Sequence, residues 1–158
     1  MAGGNGSGTA LNQLTNPHGV FVNANFTVFV VDRGNNRVVR WLRGEIMMCI
    51  SEMCTRLIVY AGATSGIVIA GETGVAGSWS YQLNTPTSIT FDQYNNMYIL
   101  DSGNNRIQRW GPGSSYGVTV ASGAMSNPRG LSFDTYGNLV VADLSNHQIV
   151  SYPVSCRK

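Results

Sequence analysis

The sequence predicts an all-β fold assembled from repeated short sheets, and three observations lead there. A module running from proline to aspartate recurs three times in the same register. Short apolar runs return at regular intervals along the chain. Tight turns are well supplied, with 19 Gly against 5 Pro among 158 residues and Ser and Asn plentiful. Internal repetition of this kind sets the architecture before any single residue is interpreted.

The modules open at Pro17-His18-Gly19-Val20-Phe21-Val22, Pro86-Thr87-Ser88-Ile89-Thr90-Phe91 and Pro128-Arg129-Gly130-Leu131-Ser132-Phe133. Each passes through a polar turn into a second apolar run ending in Asp32, Asp101 or Asp143, in every case 15 residues after the proline. A third run follows, closing on Trp41, Trp110 or Tyr152. The strands expected are Gly19–Asn23, Val28–Val31 and Val38–Leu42, then Ser88–Asp92, Met97–Leu100 and Ile107–Trp110, then Leu131–Asp134, Leu139–Ala142 and Gln148–Tyr152. Gly66–Ala70 and Gly117–Ala121 offer a fourth strand to the first two units.

Four short antiparallel strands per repeat describe the blade of a β-propeller. Runs such as Val28-Phe29-Val30-Val31, apolar on both faces, suit strands sandwiched between neighbouring blades. The expectation is one segment over residues 1–158, with blades at about 14–71, 83–122 and 126–154 and the third lacking its last strand. Rings of this type close with about 4–8 blades. Three blades therefore predict half of a six-bladed ring, completed by a longer chain or by a homodimer.

The proline, the aspartate, Gly-Asn-Asn-Arg-Val at 34–38 with its counterpart at 103–107, the tryptophans, and the leading segments Gln13–Pro17 and Gln82–Pro86 together resemble the NHL-repeat family. The resemblance covers nearly the whole chain. It implies a propeller; members include bacterial sensor ectodomains, tripartite-motif proteins and a peptide-amidating lyase.

Two departures stand out. The aspartates are 69 residues apart from Asp32 to Asp101 but 42 from Asp101 to Asp143, which leaves 27 extra residues in the first interval. Eighteen fall between Trp41 and Gly62 and nine in 71–80. The first insertion, at 42–61, carries Ile46-Met47-Met48-Cys49-Ile50 and Leu57-Ile58-Val59-Tyr60 and reads either as a poorly ordered segment or as an extra hairpin forming a docking edge.

The formal net charge is +2, and nine Arg with one Lys are scattered without forming a basic stripe, so nucleic acid is not demanded. Cys49, Cys54 and Cys156 are an odd set, which argues against a fully paired disulfide framework while leaving a Cys49–Cys54 bridge open. The most apolar stretch, Leu57–Ala70, falls short of the ~20 residues of a spanning helix, so no membrane span is expected. The stretch Met1–Thr9 has no signal-peptide pattern, which leaves the compartment open.

Residues repeated in every unit read as scaffold. Asp32, Asp101 and Asp143 are expected to accept backbone N–H bonds in the turns that follow them. Arg37, Arg106, Trp41 and Trp110 are expected to serve packing between blades or an ion pair. A ligand site needs positions that differ, and His18, Thr87 and Arg129, after the three prolines at the channel mouth, are such a set. No catalytic residue, metal site or cofactor is expected. A catalytic zinc generally needs three protein ligands, and His18 and His147 are too few and too far apart in the repeat.

The function expected is a non-catalytic scaffold binding a protein, peptide or glycan through the channel mouth and rim loops. The alternative is RNA binding, as in some tripartite-motif proteins, through Arg33, Arg37, Arg40, Arg43 and Arg129. An amidating-lyase-like metal enzyme is the third reading.

Overall fold

The computed structural model describes residues 3–42 and 65–154. The expected insertion beyond position 42, Arg43 and all three cysteines lie outside the described residues. The first antiparallel sheet comprises β1 (Pro17–Val22), β2 (Val28–Asp32), β3 (Arg37–Trp41) and β4 (Ile67–Gly71), in that order. The second repeats it with β5 (Ser88–Phe91), β6 (Met97–Asp101), β7 (Arg106–Trp110) and β8 (Val118–Ser122). In the third, β9 (Pro128–Phe133), β10 (Leu139–Asp143) and β11 (Gln148–Tyr152) form a three-stranded sheet.

Turn chemistry explains the hairpins. Between the first two strands of each sheet, the side-chain oxygen of Asn23, Asp92 or Asp134 accepts two backbone N–H bonds from residues two and four positions on, at 2.8–3.1 Å. Between the second and third strands lies a single 3-10 turn, at Arg33–Asn35, Ser102–Asn104 and Leu144–Asn146. The residue after it is left-handed in all three copies: Asn36 at φ 53°, Asn105 at 49° and His147 at 53°. Asn and His are among the side chains that tolerate this region best, so the third copy keeps its turn although its sequence has drifted.

The aspartates do not cap that turn, contrary to expectation. The 3-10 turn satisfies itself, because the N–H of Asn36 already donates to the Arg33 carbonyl. The carboxylate instead reaches back to the segment leading into its own sheet. Asp32 accepts the Thr15 N–H, Asp101 that of Asn84 and Asp143 that of Ser126, each at 2.7 Å. Its second oxygen takes the amide of Asn35, Asn104 or Asn146, and the side chain of Arg37, Arg106 or Gln148. Arg37 then holds the carbonyls of Thr9, Ala10 and Gln13 at 2.8–3.0 Å, and Arg106 those of Ser78, Trp79 and Gln82 at 2.6–3.1 Å. An Asp-Asn-Arg knot in the first two sheets, and an Asp-Asn-Gln version in the third, thus pins an irregular stretch that leads into the sheet. Burial pushes the Asp101 carboxyl up against the pull of Asn104, Asn84 and Arg106. At Asp143 the donors from Ser126, Asn146 and Gln148 overcome desolvation and hold the carboxyl below its usual range.

The cores lie between sheets. Phe29, Val31, Val38 and Ala70 of the first meet Ile89, Met97, Ile99 and Trp110 of the second. Tyr98, Leu100 and Ile107, on the opposite face of the second, meet Leu131, Leu139 and Val141 of the third. Apolar residues on both faces of β6 are accounted for in this way, whereas Val28 and Val30 on the second face of β2 cluster with Val39 and Trp41 of their own sheet, against Leu14 and Val68. The inner strands sit side by side, with β5 next to both β1 and β9.

Candidate functional site

His18 in β1, Thr87 just before β5 and Arg129 in β9 are neighbours but differ in what they offer. His18 is exposed, and its Nδ1 lies 3.0 Å from the Thr87 carbonyl. Thr87 is 1% exposed. Its hydroxyl is 2.6 Å from that of Ser102, and the Pro128 carbonyl accepts from both, at 3.1 and 2.6 Å. Arg129 is half-buried in β9. The row is therefore continuous across three strands, yet the Thr87 side chain is turned into the structure. Thr87→Val is expected to lower stability by about 1–3 kcal/mol, because it strips a buried hydroxyl pair of one partner. A urea denaturation midpoint measures this.

A cleft of about 1120 Å³ opens between the first and second sheets, running from Asn23 and Asn95, at the strand ends remote from Asp32 and Asp101, to Gly71 and Glu72. Its apolar wall is a cluster of rings: Phe91 lies 4.7 Å from both Phe21 and Phe29, centroid to centroid. Met97 and Trp110 extend the wall, and the Trp110 indole N–H donates to Gln108 at 3.1 Å. Polar groups ring the opening, among them Asn23, Asn95 and Ser115. Arg40 is half-buried, and its Nε is buried without a hydrogen-bond partner. Glu72, on the outer side, accepts from Gln82 at 3.1 Å, and Tyr81 beside it is 48% exposed. Apolar surface framed by a cation, a carboxylate and amides is the composition of a recognition cleft.

Sequence reasoning passed over this cleft. Its one signal was a Phe near the end of the first run in both modules, Phe21 and, one position later in the module, Phe91, followed by Phe29 where the second sheet carries Tyr98. That tyrosine marks the other interface, where its ring meets Phe133 edge-on at 5.1 Å. Burial, and then the Asp92 carboxylate that accepts its hydroxyl at 3.2 Å, push the Tyr98 phenol up.

The arginine set expected for RNA does not assemble on one face. Arg37 is fully buried against Asp32 at 2.8 Å. Arg33 sits in the turn at one end of the sheet, while Arg40 lies toward the other end of β3 and lines the cleft. Strand geometry separates them, because β3 carries residues 37 and 40 to opposite faces and different heights. Among the described residues, no three His, Cys, Asp or Glu side chains stand together in a metal-holding group, and no helix is long and apolar enough to cross a membrane.

No family model matches the sequence, and no curated protein does. Solved structures do match. A virginiamycin B lyase from Staphylococcus aureus aligns over 93% of this chain and 44% of its own, with a TM-score of 0.54 at 13% identity. An auxiliary nutrient binding protein from Bacteroides thetaiotaomicron aligns over 85% and 37%, with a TM-score of 0.61 at 14% identity. A protein of unknown function from Bacteroides caccae aligns over 90% and 43%, with a TM-score of 0.53 at 12% identity. The chain thus spans less than half the length of each. At these identities the likeness is one of fold, and the fold is that of a β-propeller.

Proposed function

We propose that this chain is a non-catalytic propeller scaffold of the NHL type that holds a protein, peptide or glycan partner. The cleft between the first two blades carries this reading. Three phenylalanine rings and Trp110 offer an apolar bed, while Arg40 and Glu72 supply opposite charges on the rim. An extended peptide fits this chemistry best, with an apolar side chain on the rings and an acidic neighbour toward Arg40. His18 and Arg129 at the channel mouth form a second contact for a larger partner. The nutrient-binding neighbour shares the fold and lends the binding reading some weight. Lyase chemistry is not proposed: the two lone histidines stand at different places in the repeat, His18 in β1 and His147 after the third 3-10 turn.

The test is an array of dodecapeptides and oligosaccharides, followed by titration of the best binder. Tyr81→Ala combined with Arg40→Glu is expected to weaken it at least tenfold with little change in melting temperature, since neither side chain belongs to the buried core. Undiminished binding to the double variant, or selection of oligosaccharides indifferent to it, would remove the cleft from consideration. A binder lost on His18→Ala with Arg129→Ala instead would place the site at the mouth.

A further inference from the structure

The loop that leads into the second sheet ends in a turn from Trp79 to Gln82, closed by the Gln82 N–H on the Trp79 carbonyl at 3.1 Å. Inside that turn the Ser80 carbonyl accepts the N–H of Gly117, the residue before β8, at 2.8 Å. This one hydrogen bond gathers three aromatic residues: Trp79 and Tyr81 flank Ser80, and Tyr116 precedes Gly117. All three are open to solvent, at 69%, 48% and 57% exposure, and among the described residues none makes a ring contact. They stand beside the last strand of a complete four-stranded sheet that has a neighbouring sheet packed on each face.

The first sheet makes the same junction without them. There the Gln13 N–H closes the turn on the Ala10 carbonyl at 3.0 Å, and the Gly66 N–H donates to the Leu11 carbonyl at 2.7 Å. Ala10, Asn12 and Ser65 occupy the places of Trp79, Tyr81 and Tyr116. The turn and its link to the fourth strand therefore form without large rings, and the fold has no use for those of the second sheet. A cluster of exposed aromatics that the scaffold does not require marks a surface for a partner.

The polar groups around the rings select the partner. Ser78, Ser80 and Ser115 are exposed, and their hydroxyls take part in no hydrogen bond among the described residues. The guanidinium tied into this loop, that of Arg106, is spent on the Asp101 carboxylate and the carbonyls of Ser78, Trp79 and Gln82. The nearby Glu72 carboxylate, which accepts from Gln82 at 3.1 Å, repels phosphate chains. Flat ring faces carry negative quadrupole charge and attract the weakly positive C–H face of a pyranose, whose hydroxyls reach sideways to neutral donors and acceptors. We infer that Trp79, Tyr81 and Tyr116 form a binding platform for a neutral oligosaccharide, with pyranose rings stacked on the aromatics and their hydroxyls bonded by the serines. This deepens the glycan part of the scaffold reading and is independent of what the cleft holds; Tyr81 borders both surfaces.

The probes are cellohexaose, xylohexaose and maltohexaose, titrated into the intact chain by calorimetry and by acrylamide quenching of tryptophan fluorescence. Trp41 and Trp110 are each 3% exposed, so quenching reports on Trp79. At least one hexaose is expected to bind saturably, to shield Trp79 from acrylamide and to be indifferent to added salt. Trp79→Ala and Tyr116→Ala should each weaken it at least tenfold at unchanged melting temperature, since both rings are exposed, whereas Arg40→Glu should leave it unaltered. A peptide seated in the cleft should show the reverse pattern, so the failure of one site is distinguishable from the failure of the other. The inference is overturned if no hexaose shields Trp79, if the double variant Trp79→Ala with Tyr116→Ala binds as the parent does, or if a single-stranded oligonucleotide shields Trp79 in a salt-sensitive manner while the hexaoses do not.

Discussion

Asp32→Ala is expected to cost about 3–5 kcal/mol, because it leaves the fully buried Arg37 guanidinium with no counter-charge. The carbonyls of Thr9, Ala10 and Gln13 would still accept its N–H groups, but carbonyl dipoles do not neutralise a cation held away from water. The three sheets provide an internal series. Asp101→Ala should cost less, since the Arg106 side chain retains 11% exposure. Asp143→Ala should cost least, about 1–2 kcal/mol, because its partner Gln148 is neutral and exposed and bonds at 3.2 Å. Chemical denaturation of the three variants checks the order. Adding Arg37→Met to Asp32→Ala should recover part of the loss, since an apolar side chain removes the orphaned charge. Equal losses in all three sheets would show that the hydrogen bonds to the leading segments, common to every copy, outweigh the ion pair.

Strand placement was legible because period and repetition both report it. All eleven strands fall where apolar runs were found, and bounds move by one to three residues: β1 begins at Pro17, not Gly19, β9 at Pro128, not Leu131, and β2 runs through Asp32. Function-bearing features were less legible. The stretches before Thr15, Asn84 and Ser126 have no apolar rhythm, so nothing in their own residues announces that a distant aspartate and arginine hold them. Thr87 differs from His18 and Arg129 in sequence as a ligand residue would, but its difference is consumed by Ser102, across the β5–β6 pair, and by the Pro128 carbonyl, which comes within reach only once β5 and β9 are side by side. The cleft escaped for the same reason. Phe21, Phe29 and Phe91 come from three strands in two sheets, and the space they line exists only between those sheets.

Gly71→Ala is expected to lower stability by about 2–5 kcal/mol, the sum of about 1–2 for forcing a side chain into the left-handed region and about 1–3 for overpacking. Gly71 ends β4 at φ +81°, and an added Cβ would strike the Asn36 carbonyl and the Arg37 backbone. Those are main-chain atoms of the very hairpin that carries the Asp32–Arg37 knot, so they cannot swing aside as a side chain could. Two glycines serve as controls. Gly74 has a similar φ of +76° and Gly123 one of +114°, but an added Cβ meets nothing within 4 Å at either. Alanine there should cost only the conformational part, about 1–2 kcal/mol. The difference between Gly71→Ala and Gly74→Ala in melting temperature or urea midpoint isolates the packing contribution. Gly71 also lines the cleft beside Glu72. A variant that remains folded should therefore bind the cleft's peptide more weakly, whereas Gly74→Ala and Gly123→Ala should bind it as the parent does.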